Sequence, residues 1–377
     1  MKRKVLFIPF LIVTLLVTSI LPTSSLLNVS ANENGKPNIT IISMAGTITS
    51  TSPGRDLFQT YGSESVSISD VLSKIQPEIS SVANVTVKEL YQVSSSTTSM
   101  KHVFDMSLAI DEALADKNVD AVIVNTGTNI LEELAYWTDL TVQSDKPVVF
   151  TGAMRMTNVF SFDGEANLFN AIRLAASGET KCYGTVVMLN DEFFAAREVT
   201  KTDALRLDTF DGGRYGALGT VDENRIRTVR APARVKACGT EQWKTPFDLE
   251  KIEVEDLAKV EIVYSYLAAD GLMISALANA GVDGIVTAGH GAGGISTSQQ
   301  AARKEAIEKG VLFASTTRAG SGAVYDTGAP GIIGAADLLP QKARLLLMLG
   351  LTYSDDEKQI REWFQTIGMP EFDMSNS

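Results

Sequence analysis

Two threonines stand where an open α/β chain does its chemistry. The run Ile39-Thr40-Ile41-Ile42-Ser43-Met44-Ala45 leads into Gly46-Thr47. The run Ala121-Val122-Ile123-Val124-Asn125-Thr126 leads into Gly127-Thr128, 81 positions further on. A continuous β-branched run bounded by glycine reads as a buried parallel strand. In open α/β sheets, ligands bind beyond the carboxyl ends of such strands. Both hydroxyls are therefore candidates for nucleophilic attack. A threonine hydroxyl attacks poorly until a base takes its proton. The chain holds two histidines, His102 and His290, so lysine is the natural base. A lysine desolvated in an apolar pocket titrates closer to neutrality. Lys201, in Glu198-Val199-Thr200-Lys201-Thr202, follows a strand-like run and sits among small polar residues.

Other chemistries lack their residues. Neither histidine has zinc-helix spacing, and two cysteines cannot close a structural zinc site. There is no G-x-S-x-G elbow and no phosphate-binding G-x-x-x-x-G-K-[ST] loop. Gly289-His290-Gly291-Ala292-Gly293-Gly294 fits G-x-G-x-x-G, but no strand ending in an acid follows to hold a ribose. It reads as a glycine-rich turn. No metal or cofactor is expected.

Residues 1–31 read as a secretory signal: basic Lys2, Arg3 and Lys4, an apolar run from Val5 to Leu21, and Val29-Ser30-Ala31 as a cleavage site. An uncleaved anchor is the alternative, since the apolar run reaches the lower edge of membrane-span length. Cleavage removes three basic residues, taking the formal net charge from −12 to about −15. Such a surface repels nucleic acid and anionic membrane. It suits an exported protein, periplasmic or cell-envelope, with a small neutral or zwitterionic substrate and no stable membrane association after cleavage. In an oxidising compartment Cys182 and Cys238 are free to pair. A disulfide and two buried thiols both stand as readings.

The elements that must position these residues follow an α/β alternation. Strand-like runs cover 39–43, 85–90, 121–124, 147–150 and 184–189, with helical patterns at 69–75, 102–114, 132–140 and 166–176. This implies a larger N-terminal domain (36–230) with a parallel-type sheet covered by helices. Residues 231–257 read as a linker. A smaller parallel α/β domain (258–377) follows, with strands at 260–264, 284–287 and 311–315. Its helices are expected at 272–279, 298–309 and, as a terminal helix, 340–351.

In order, these segments resemble the bacterial type II L-asparaginase/glutaminase family of threonine-nucleophile amidohydrolases, from about Asn38 to Phe364. Ala45-Gly46-Thr47-Ile48 is similar to the family's first signature, T-G-G-T-I. Gly127-Thr128-Asn129-Ile130-Leu131-Glu132-Glu133 is similar to the second, H-G-T-D-T-x-E-E. Asp145-Lys146-Pro147-Val148-Val149, Gly152-Ala153-Met154-Arg155, Asp163-Gly164, Asn167-Leu168-Phe169-Asn170-Ala171, Val199-Thr200-Lys201-Thr202 and Pro340-Gln341-Lys342-Ala343-Arg344 fall where the family has similar words. The resemblance implies hydrolysis of L-asparagine, or L-glutamine, through an acyl-threonine. It implies Thr47 as nucleophile, Tyr61 as its activator, and Thr128 with Lys201 as a second hydroxyl–amine pair. Ser95 or Ser96 would hold the substrate carboxylate. Backbone N–H groups near Gly127 and Thr128 would stabilise the oxyanion. It also implies a homotetramer whose sites are closed by neighbouring C-terminal domains.

The departures gather around the site. Asn129 stands where the family has an aspartate that joins the Thr–Lys network and pairs with the substrate ammonium. Thr126 replaces a histidine, Ile130 a threonine, Met44-Ala45 a Thr-Gly, and Met156 and Glu165 prolines. Ala292 stands where family members place an asparagine completing the neighbour's site. Asp326 is the nearest counterpart of the acid they supply after Arg318. Two alternatives follow from Asn129: a weakly active or inactive homologue that binds a small metabolite, or an amidohydrolase with a shifted substrate.

Overall fold

The computed structural model describes residues 35–372; the signal-sequence reading of 1–31 lies outside them. Strands β1 (Asn38–Ser43), β2 (Asn84–Glu89), β3 (Ala121–Asn125), β4 (Val148–Thr151) and β5 (Thr185–Leu189) run parallel in the order β2-β1-β3-β4-β5. β3, β4 and β5 are buried along their whole length, as their β-branched runs demand. The crossovers carry α1 (Ile68–Ser73), α2 (Glu78–Val82), α3 (Met100–Ala115), α4 (Leu131–Thr141) and α5 (Gly164–Ser177). Ser67 and Ser99 start α1 and α3 through reciprocal caps with Asp70 and His102. His102 thereby serves as a cap.

Beyond β5 the sheet turns antiparallel. β6 (Glu192–Ala195) folds back on β5. β7 (Thr200–Lys201) and β8 (Phe210–Asp211) form a separate two-stranded ribbon. β9 (Gly219–Asp222) and β10 (Arg225–Thr228) bring the sheet to eight strands. These strands are two to four residues long, too short for a readable alternation.

The C-terminal half has a parallel sheet of β11 (Val260–Tyr264), β12 (Gly284–Gly289), β13 (Leu312–Thr317) and β14 (Ile332–Gly334), in that order. Helices α6 (Leu272–Asn279), α7 (Thr297–Glu308), α8 (Pro340–Tyr353) and α9 (Glu357–Thr366) accompany it. The chain thus ends with one helix more than its pattern suggested, because the charged start of α9 hides its apolar face. The glycine-rich segment is a tight turn, closed by His290 N–H to Gly294 O and the reverse, both 2.8 Å.

The segment expected to be a linker is packed. Trp243, Phe247 and Leu249 are buried, and the last two join a core that runs from Ile42 and Trp137 through Leu346 to Phe364. Each fully buried side chain of this size contributes about 1.5–3 kcal/mol. Cys182 and Cys238 form a disulfide, with Cα atoms 5.5 Å apart, and pin this segment to the start of β5. Of the two readings, the bridge is the one observed. Among the described residues no helix is long and apolar enough to cross a membrane.

Candidate active site

The site lies where β1 and β3 end side by side. Asn125, the last residue of β3, knits the two ends: its side-chain amide donates to Ser43 Oγ (3.1 Å) and Ala45 O (3.2 Å). Its backbone carbonyl accepts from Met44 N (2.9 Å). The strand ends are pressed together, since a Cβ on Gly46 would lie 2.4 Å from Gly127 N. Gly46 also has φ 111° and ψ −168°, open to glycine alone. These contacts explain the glycine before Thr47.

Thr47 opens a single 3-10 turn and is nearly buried. Its Oγ1 lies 2.7 Å from the Tyr61 hydroxyl. Tyr61 is 57% exposed on a loop folded back on itself by Gly62 N–H to Thr51 O (2.8 Å) and Val66 N–H to Thr49 O (2.8 Å). Asn158 ties that loop to the body by accepting from Ser52 N–H at 2.8 Å. The guanidinium of Arg155 stacks on Phe58. Arg155 and Met154 are held in turn by Asp163, which accepts both backbone N–H groups at 2.9 Å. Burial pushes the Asp163 carboxyl up, against these bonds.

Lys201 forms the second cluster. Its Nζ donates to Thr128 Oγ1 (3.0 Å) and Asn129 Oδ1 (2.8 Å). Desolvation holds its amine below the ordinary lysine value; Asp203 and Glu132 oppose the shift. The neutral Asn129 oxygen thus already accepts one hydrogen bond from Lys201. The Gly127 and Thr128 backbone N–H groups have no acceptor among the described residues.

A cavity of about 450 Å³ joins these groups, lined by Thr47, Tyr61, Ser95, Ser96, Gly127, Thr128 and Asn129 among others. Lys201 stands behind Thr128 and Asn129, outside the lining. Of the serines, Ser95 presses on the glycine step: its Oγ lies 2.7 Å from where a Gly127 Cβ would sit. Ser96 Oγ is 3.0 Å from the Ser94 hydroxyl. The cavity also reaches Glu89 at the end of β2, its one charged lining residue among the described residues. Neither Glu89 nor Asn125 was singled out from sequence. Asn125 had a signal, a polar residue closing a buried strand; Glu89 had none. Ala292, on the glycine-rich turn, and Asp326, whose carboxylate binds the Arg361 guanidinium, are both outside this cavity. Among the described residues, the one grouping of potential metal-ligand atoms is Asp145 with Cys182 and Cys238, and both sulfurs are in the disulfide.

Residues 38–234 match the family profile described as "Asparaginase, N-terminal", and residues 259–364 match "Glutaminase/Asparaginase C-terminal domain". The chain is 34% identical over 346 residues to L-asparaginase 2 of Bacillus subtilis, covering 91% of this chain and 90% of that one. It is 35% identical over 339 residues to L-asparaginase 2 of Escherichia coli, covering 87% and 92%. A crystal structure named "Probable Cytoplasmic L-asparaginase from Campylobacter jejuni" superposes with a TM-score of 0.80 at 34% identity, covering 88% of this chain and 99% of its own.

Proposed function

The chain belongs to the type II asparaginase/glutaminase family of amidohydrolase enzymes, and from that premise we propose that it hydrolyses the side-chain amide of L-asparagine, or of L-glutamine, through an acyl-enzyme on Thr47. The observation that carries this reading is the pair of hydroxyl clusters on one cavity: Thr47 with Tyr61 at 2.7 Å, and Thr128 with Lys201 at 3.0 Å. Thr47 Oγ1 attacks the amide carbon as its proton passes to the Tyr61 side or, through Thr128, to the Lys201 amine. The oxyanion takes the free N–H groups at Gly127 and Thr128. Ammonia leaves with a proton, and water then cleaves the ester and restores the hydroxyl. Ser95, whose hydroxyl faces the glycine step, holds the substrate carboxylate, with Ser96 beside it. The Tyr61 loop closes over the bound substrate and excludes bulk water.

The disulfide and the acidic surface support an exported enzyme. A further family relative is named "Probable L-asparaginase periplasmic", from Haemophilus influenzae. An exposed apolar surface on the C-terminal half, with Tyr264, Tyr266, Leu267, Leu272 and Met273, supports assembly into a homotetramer.

One observation favours a second reading. Asn129 offers a neutral oxygen that already accepts from Lys201, and among the described residues no carboxylate besides Glu89 lines the cavity. An amide without an α-ammonium would fit such a lining. Ammonia release from L-asparagine, L-glutamine, D-asparagine, succinamate and small peptides tests both. Release from L-asparagine at enzymatic rates supports the first reading; release from succinamate alone supports the second. Binding of any of them without ammonia release overturns both and leaves a metabolite-binding homologue.

A further inference from the structure

We propose that Lys342, on α8 of the C-terminal half, is a positioning residue that sets Lys201 in place; the proposal rests on Lys201 serving the reaction. Lys342 is 1% exposed, on a helix whose neighbouring positions Leu345, Leu346 and Leu347 are buried leucines. An ammonium there is expensive unless each of its protons is bonded. Each one is: Nζ donates to Ala196 O (2.8 Å), to Arg197 O (3.0 Å) and to Val199 O. Three donors meet three carbonyls of one segment. The next two residues are Thr200 and Lys201.

That segment has a second hold from the same side. Arg197 Nε donates to Gly368 O at 2.6 Å, and its guanidinium pairs with Asp337. By contrast, β7 has little support of its own, two residues paired only with β8. The Lys201 amine must nevertheless reach Thr128 and Asn129, 73 and 72 positions away in sequence, at 3.0 and 2.8 Å. The clasp at 196–199 defines where that reach begins. A misplacement near 1 Å can slow a reaction about a hundredfold. The buried Lys342 amine is pushed down to about 8 by desolvation, with Glu132 on α4 as its strongest opposing charge. A buried leucine would have suited the helix alone, so the charge is explained by the carbonyls it binds.

The test uses the full mature oligomer carrying Lys342→Met, with activity normalised to folded protein by circular dichroism and gel filtration. On L-asparagine, kcat should fall at least about tenfold while KM stays within about threefold. Amide hydrogen exchange in the peptide covering 198–203 should quicken, with the Thr47 segment unchanged. An unchanged kcat per folded molecule, or an unchanged exchange rate at 198–203, overturns the proposal. Should Lys342→Met fail to fold, Lys342→Gln, which keeps two donors, is read by the same two measurements. Failure of both to fold makes Lys342 a stability residue and also overturns the proposal. If the wild type itself releases no ammonia, the proposed function fails, and the exchange measurement still decides the clasp.

Discussion

At the scale of single residues, Asn129 sets the surroundings of the Lys201 amine. It gives Lys201 a neutral oxygen at 2.8 Å where an aspartate would give a charged one and add the Coulomb attraction of an ion pair. Asn129→Asp should raise kcat/KM for L-asparagine at least tenfold, about 1.4 kcal/mol in the barrier, and should help succinamate much less. Steady-state kinetics on both substrates check this, and an equal gain on both would assign the whole effect to Lys201. The pH profile carries a second expectation. Desolvation lowers the Lys201 pKa, so activity that needs its free amine should rise along a limb centred below the ordinary lysine value of about 10.4. A carboxylate at 129 favours the charged ammonium, so in Asn129→Asp that limb should move to higher pH. A downward move would contradict the assignment of Lys201 as base.

At the scale of elements, the sharp turn after β1 is where the sequence strains its own geometry. Ala45 has φ 63°, a left-handed conformation that a Cβ disfavours by roughly 1–2 kcal/mol. Ala45→Gly should therefore stabilise the protein by about 0.5–1 kcal/mol after the added freedom of the unfolded chain is subtracted. Chemical denaturation checks this, and a lower midpoint would refute it. The turn also shows what the sequence displayed. The strands ending at Ser43 and Asn125 were legible because fully buried parallel strands need continuous apolar runs, and the two Gly-Thr steps marked their ends. The Thr128–Lys201 contact was not legible from pattern. It depends on β7 and β8, two residues each, and on the preceding 196–199 segment, whose carbonyls are bonded by Lys342 from a distant helix. Family resemblance supplied that pairing; periodicity could not. Glu89 was hidden for a related reason, since an acid at a strand end looks like any solvated edge residue until the cavity around it is built.

At the scale of the whole molecule, two features bind the two halves, the continuous core and the clasp on 196–199, while the disulfide ties the 231–257 segment to the start of β5. The residues read as a linker looked loose because proline, arginine and lysine interrupt their pattern, yet Trp243 and Phe247 anchor them in the interior. The disulfide closes a loop 56 positions long, so Cys182→Ser should cost about 2–4 kcal/mol. Guanidinium unfolding reads that loss, while the folded variant should keep its activity, because neither sulfur lines the cavity. Light scattering of the mature chain at micromolar concentration should give a tetramer; a fully active monomer would contradict a site closed by a neighbour. The central claim, an acyl-enzyme on Thr47, is tested most directly by the mass of the intact chain during turnover of a slow substrate. An added acyl mass should map to the tryptic peptide containing Thr47 and disappear, with the activity, in Thr47→Ala. An adduct on another residue, or full activity in Thr47→Ala, would contradict it.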